Sequence, residues 1–236
     1  MLNLYRASPQ ESELLLGLTA ETRNGNKAWW HDLTETALPE WFQLYVTLED
    51  AAETIRQYEP ELIPGLLQTR AYAHQVMSVP EGYLTPDEIA RRVDVRMERQ
   101  SLLTRPRAPH LSVIIAETAL HRPVGGPKVM AEQLQHLLDV TQRASVSVRI
   151  LPSNVGVHGG MAASAFSMLD FPTDPRSGEA LEPPLVYMDT MTAAAYLHKA
   201  GEIQAYRMVW DDLTARALDE SSSRELIDKI SREVNK

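Results

Sequence analysis

Leu111-Ser-Val-Ile-Ile115 and Val146-Ser-Val-Arg-Ile-Leu151 flank a helical stretch, Lys128 to Gln142, and that arrangement decides the fold class. The first run is short, apolar and rich in β-branched residues, and the second alternates at its start, so both read as strands. The stretch between them places Val129, Met130, Leu134, Leu137 and Leu138 on one helical face. A strand, a helix and a strand over this length predict a β-α-β unit, with parallel strands and a right-handed crossover. Ala165–Phe171, Leu185–Asp189 and, more weakly, Ala194–Leu197 read as further strands with no helix between them, which favours antiparallel pairing. The expectation is an α/β (α+β) fold built on a mixed sheet of about four to five strands.

Outward from this unit, residues 46–105 read as helical and 201–236 as helical again, with 108–200 holding the sheet; 1–45 read as a helical lead-in. Trp41, Phe42, Tyr45 and Leu48 share an acidic amphipathic helix. Pro64-Gly65 breaks the chain, and a second helix is expected from Leu66, with Gln68 as its one early polar side chain, suited to a buried hydrogen bond or a ligand contact. Thr85-Pro86-Asp87-Glu88 has the form of a capping box, and Ile89, Val93 and Met97 continue it as an apolar stripe. Ile203, Tyr206, Trp210, Leu213 and Ala217 form another stripe, and a last helix is expected to start at Ser221 or Ser222. In the lead-in, a helix is expected from Gln10 to Arg23, then a break at Asn24-Gly25-Asn26 and the pair Trp29-Trp30, one ring packing inward and the other covering a neighbouring segment or a partner.

Composition narrows the function classes. The 236 residues include no cysteine, which excludes disulfides, thiolate nucleophiles and Cys-ligated metal clusters. The seven histidines are scattered, His74 and His136 standing alone on helices, so no metal is expected. No phosphate-binding glycine loop, nucleophile elbow or signal segment is present, and no cofactor and no membrane contact are expected. A formal charge of −9 argues against DNA binding by this chain itself. The densest basic run, Arg91, Arg92, Arg96, Arg99, Arg105 and Arg107, is interleaved with Asp87, Glu88, Asp94 and Glu98 and reads as a solvated helix with i,i+4 ion pairs.

Three segments concentrate chemistry. Glu117 follows the first strand, His121 and Arg122 follow in a turn, and Gly125-Gly126-Pro127 opens the next helix, whose N-terminus could dock a polar or anionic group. The plainer reading is a local clamp between Glu117 and Arg122. His158 lies in a glycine-flanked loop, either simply exposed or closing over Glu117 as a hydrogen-bond donor or an acid–base group. Tyr187 and Asp189 end a strand, and Asp189 either points into the same cleft or caps the following turn.

Residues 59–73 (EPELIPGLLQTRAYA), with Trp29-Trp30, Pro39–Phe42, Leu48–Ala52, Glu117–Gly126, Gln133-Leu134, Leu151-Pro152, Gly156–His158 and Ala217-Leu218, resemble the large C-terminal domain of unknown function in actinobacterial (Streptomyces-type) XRE-family helix-turn-helix regulators. These are antitoxin-like transcription factors. The resemblance implies a cytoplasmic domain that senses a small-molecule ligand or binds a small partner protein, with DNA reached only through a helix-turn-helix domain, from which Leu2–Tyr5 looks like the exit. A homodimer is compatible with it. The ligand-contacting residues expected are Gln68, Glu117, His121, Arg122, Gly125, His158, Tyr187 and Asp189. The alternative is a stand-alone domain turned to cofactor-free acid–base chemistry of cyclase, lyase or isomerase type in secondary metabolism, with Glu117, His121, His158 and Asp189 as its catalytic groups.

Overall fold

Thr54–Glu59 forms a strand (β1) near the middle of the sheet, inside the stretch expected to be helical. Its buried residues are Ile55 and Tyr58, three apart. Successive side chains of a strand point to opposite faces, so these two bury on opposite sides of a sheet that is covered on both. That spacing imitates a helical stripe, which is why alternation fails to reveal the strand. The computed structural model describes residues 38–234 apart from 175, 177 and 179. The chain divides into two units, Met1–Leu38 and Pro39–Lys236. The expected helix at 10–23, the break at 24–26 and the pair Trp29-Trp30 lie outside the described residues.

Among the described residues the sheet has six strands rather than four or five. The others are β2 (His110–Ala116), β3 (Val146–Leu151), β4 (Phe166–Asp170), β5 (Leu185–Asp189) and β6 (Ala194–Leu197), in the order β3-β2-β1-β4-β5-β6. β1, β2 and β3 are parallel, while β4, β5 and β6 pair antiparallel. The α/β class and mixed sheet stand, with two β-α-β crossovers instead of one. Helix α1 (Glu40–Ala51) precedes β1. α2 (Arg70–Met77) and α3 (Pro86–Arg99) join β1 to β2, and the short α4 (Glu117–His121) and α5 (Pro127–Val140) join β2 to β3. α6 (Gly160–Ala163) leads into β4, and α7 (Ala200–Arg216) and α8 (Glu220–Val234) close the chain.

Local chemistry explains most boundaries. The Thr85 hydroxyl accepts from the Glu88 N–H and the Glu88 carboxylate accepts from the Thr85 N–H, completing the expected capping box of α3. The helix expected at Leu66 is only a 3-10 turn, Gly65–Leu67; α2 starts after Thr69, whose hydroxyl accepts from Tyr72 N–H. α8 begins earlier than expected because Asp219, not Ser221 or Ser222, caps it, accepting from Ser222 N–H at 2.8 Å.

Tyr58, Ile114, Phe166, Met168 and Val186 line one sheet face and pack with Ile203, Leu213 and Ala217 of α7 and the residue after it. On the opposite face α1 lays Tyr45 on Tyr187, ring centroids 4.0 Å apart, and the Tyr45 hydroxyl donates to Ser167 Oγ at 3.4 Å. The arginine-rich helix is not a solvated ladder. Arg99 is 6% exposed and donates two Nη2 hydrogen bonds of 2.8 Å and one Nε bond of 3.0 Å to Glu49 of α1, itself 2% exposed. Its guanidinium also lies 5.0 Å from the Phe42 ring centre. Arg105 pairs with Asp50, again across to α1.

A buried ion pair stripped of one partner leaves an uncompensated charge. Glu49→Leu or Arg99→Leu alone should therefore lower unfolding free energy by about 3–5 kcal/mol in urea titrations. The double variant should recover much of that loss, which checks that the cost is the stranded charge.

Candidate functional site

The parallel strands end at one edge of the sheet, where Glu59 is level with Ile115 and Ala116 with Leu151. β5 is antiparallel to β4, which is antiparallel to β1, so β5 also ends at that edge, at Asp189. A cleft of about 1190 Å³ opens there, lined by the chain just past each strand: Glu59–Glu61, Ala116–Thr118, Leu151–Ser153 and Met188–Thr190. This is the position at which open α/β sheets place ligands.

Glu117 and His158 both line this cleft. Glu117 opens α4 and accepts from the Ser153 N–H at 2.7 Å and the Ser153 hydroxyl at 2.9 Å. Those backbone and side-chain hydrogen bonds hold its carboxyl below the ordinary range. The expected Glu117–Arg122 clamp does not form: Arg122 pairs with Glu61, and the side chain nearer Glu117 is His121, its Nε2 3.8 Å away. His121, Arg122 and Gly125 do not line the cleft. The helix start at Gly125-Gly126-Pro127 therefore does not face it, and Gly125 instead packs against Gln75 and Val129 with a φ of +67°.

His158 stands edge-on to Tyr58, ring centroids 6.3 Å apart, and its Nδ1 is buried without a hydrogen-bond partner. The loop holding it is pinned to α7, since Gly159 N–H donates to the Asp212 carboxylate at 2.8 Å. Gly160 then passes so close to Tyr58 that a Cβ would lie 2.6 Å from the ring, a contact only glycine permits. Gln68 is 2% exposed; its Nε2 donates to Ile63 O at 2.7 Å and its Oε1 accepts from Arg96 Nη1 at 2.6 Å. Tyr187 is buried beneath Tyr45 and borders a recess of about 110 Å³ beside the main cleft, whereas Asp189 lines both.

Glu59, Arg96 and Ser153 are among the cleft residues absent from the set expected from the sequence. Burial pushes the Glu59 carboxyl up from 4.5 to about 7, against the Gln57 amide hydrogen bond that lowers it. Burial also raises the Asp189 carboxyl and lowers the Arg96 guanidinium to about 10. Arg96 Nε is buried with no partner. A signal for Arg96 was present: it falls three residues after Val93 and seven after Ile89, on the apolar stripe rather than the solvated face. Glu59 carries no such mark once its strand is missed. Among the described residues no group of His, Asp and Glu is arranged to hold a metal ion, and no helix is long and apolar enough to cross a membrane.

Glu59 fixes a pH dependence. In the unfolded chain the carboxyl ionises near 4.5; in the folded protein it keeps its proton until about 7. The folded state therefore binds the extra proton between these values, and stability from this group is full below 4.5 and falls as pH rises to 7, by at most about 3 kcal/mol. Carboxyl NMR of Glu59 should show a midpoint near 7, and Glu59→Gln should flatten that part of the stability–pH curve. A midpoint near the ordinary glutamate value would remove the burial argument.

Residues 42–229 match the family described as Domain of unknown function (DUF5753). Neither a curated protein nor a solved structure matches the chain. The family match spans most of the sequence, and the chain belongs to that family.

Proposed function

We propose that this domain is the small-molecule-sensing part of an XRE-type transcriptional regulator, acting in the cytoplasm, with DNA contact left to a helix-turn-helix part. One observation carries the reading: the cleft at the strand ends of the sheet is bordered by Arg96 and His158, whose Nε and Nδ1 are buried and unpartnered. A buried polar atom left unpaired costs about 1–3 kcal/mol, which a bound ligand recovers. The volume of about 1190 Å³ suits a small organic molecule. Leu62, Ile63, Val155 and Met188 supply apolar wall among the polar groups, the mixture such sites use.

The regulatory half of the reading draws on the family resemblance and on one structural link. Arg96 and Arg99 lie on the same helix, and Arg99 grips Glu49 of α1. A ligand drawn to Arg96 would therefore bear on the α3–α1 contact, a route by which occupancy could bias how α1 presents itself to a small partner protein or to the DNA-binding part.

A second reading, cofactor-free acid–base catalysis, is favoured by Glu59, whose midpoint of about 7 suits proton transfer near neutral pH. It would not run on Glu117, which Ser153 holds ionised, nor on His121, which lies off the cleft.

Native mass spectrometry after incubation with a small-molecule extract separates these. A one-to-one adduct should form, survive Met208→Ala on the exposed side of α7, and be lost in Ala195→Trp, which narrows the cleft from an exposed β6 position. Equal retention by both variants would place binding elsewhere. Conversion of the bound species to a new mass would support the catalytic reading.

A further inference from the structure

Glu59 and Asp189 stand on the same face of the sheet. Gln57 pairs with Ser167, and Ser167 with Tyr187; each carboxylate lies two residues further on, at the end of its own strand. Both border the recess between the sheet and α3, together with Arg96 and Tyr187. Glu59 accepts from Gln57 Nε2 at 2.9 Å on Oε1 only. The Tyr187 hydroxyl is buried beside the Asp189 carboxylate, and Arg96 Nε is buried with no hydrogen-bond partner. Two carboxylates and two buried donors, one of them without a partner, thus surround one small space.

We propose that this recess binds a protonated amine between Glu59 and Asp189, as the head group of a small molecule whose adjacent acceptor atom takes hydrogen bonds from Arg96 Nε and the Tyr187 hydroxyl. The proposal rests on the ligand-binding reading and names the chemistry of its ligand. Charge decides the sign. Glu61 is matched by Arg122, and Arg99, which also lines the recess, by Glu49; the cleft and recess then present Glu59, Glu117 and Asp189 against Arg96. An ammonium group relieves that excess, whereas an anion would have to enter beside like charge. Arg96 does not close the recess itself, because Gln68 holds its Nη1 at 2.6 Å. Once Glu59 is ionised, neutral donors or acceptors alone would leave both carboxylates without a counter-charge.

The amine is expected to bind the ionised Glu59, so affinity rises with pH. The titratable and charged groups around Glu59 are its strand neighbour Tyr58, Tyr45 of α1, Tyr72 of α2, Arg96 and Arg99 of α3, and Tyr187 and Asp189 of β5, with Glu61, Glu117 and His158 across the cleft. Glu59 exchanges its proton near 7, so binding should be about tenfold tighter at pH 8 than at pH 6.

Glycinamide, acetamide and acetate serve as probes, with the Glu59 and Asp189 carboxyl signals followed by NMR in the full chain. Glycinamide, whose own α-amine loses its proton at about pH 8, should shift both signals and, counted as its protonated form, show the tenfold pH effect, whereas acetamide and acetate should not compete with it. Glu59→Gln should flatten the pH effect. Asp189→Asn should weaken glycinamide by about tenfold or more. Acetate or acetamide binding as tightly as glycinamide would overturn the amine proposal and leave the ligand-binding reading standing. So would glycinamide leaving both carboxyl signals unmoved while an extract-derived adduct still forms.

Discussion

A buried ion pair sets the frame of this molecule. Arg99 and Glu49 are both almost fully removed from water, and three hydrogen bonds join them across α3 and α1. Neither charge could stay in that environment without the other. The pair therefore fixes the position of α3 over the sheet, with the Phe42 ring set against the guanidinium. Arg96, on the same helix, is thereby carried to the cleft, where Gln68 holds one of its nitrogens and the rest of the head group faces acidic residues.

The sheet supplies the second constraint. Three parallel strands and the similarly directed β5 all finish at one edge, so segments distant in sequence converge there. Glu59, Glu117, Ser153 and Asp189 each follow or end a strand and meet because their strands do. Ser153 then commits Glu117 to holding the loop, while Glu59 and Asp189, raised by burial, keep uncommitted capacity. Carboxylates that look alike in sequence acquire different roles from their surroundings.

What the sequence reveals follows the strength of its periodic signals. The β-α-β unit around Lys128–Gln142 and the capping box at Thr85 are legible because apolar spacing and cap chemistry agree there. β1 is not, because a strand covered on both faces loses its alternation. Its loss hides Glu59, the residue at its end. The arginine-rich helix misleads for a related reason: Arg96 and Arg99 occupy buried positions whose counter-charges, Glu49 above all, lie on elements far off in sequence. Of the anticipated site residues, Glu117, His158 and Asp189 come together through strand ends and one loop, Gln68 enters as a support for Arg96, and Tyr187 borders the adjoining recess. His121, Arg122 and Gly125 belong to the same local segment as Glu117, but the chain turns away from the cleft after α4.

In the proposed reading a small molecule completes the unpartnered polar atoms of the cleft. A crystal structure of the protein grown in the presence of its extract-derived adduct tests it most directly. Non-protein density is expected within hydrogen-bond distance of Arg96 Nε and His158 Nδ1. A bound molecule lodged elsewhere, with both nitrogens bonded to other protein groups, would contradict it.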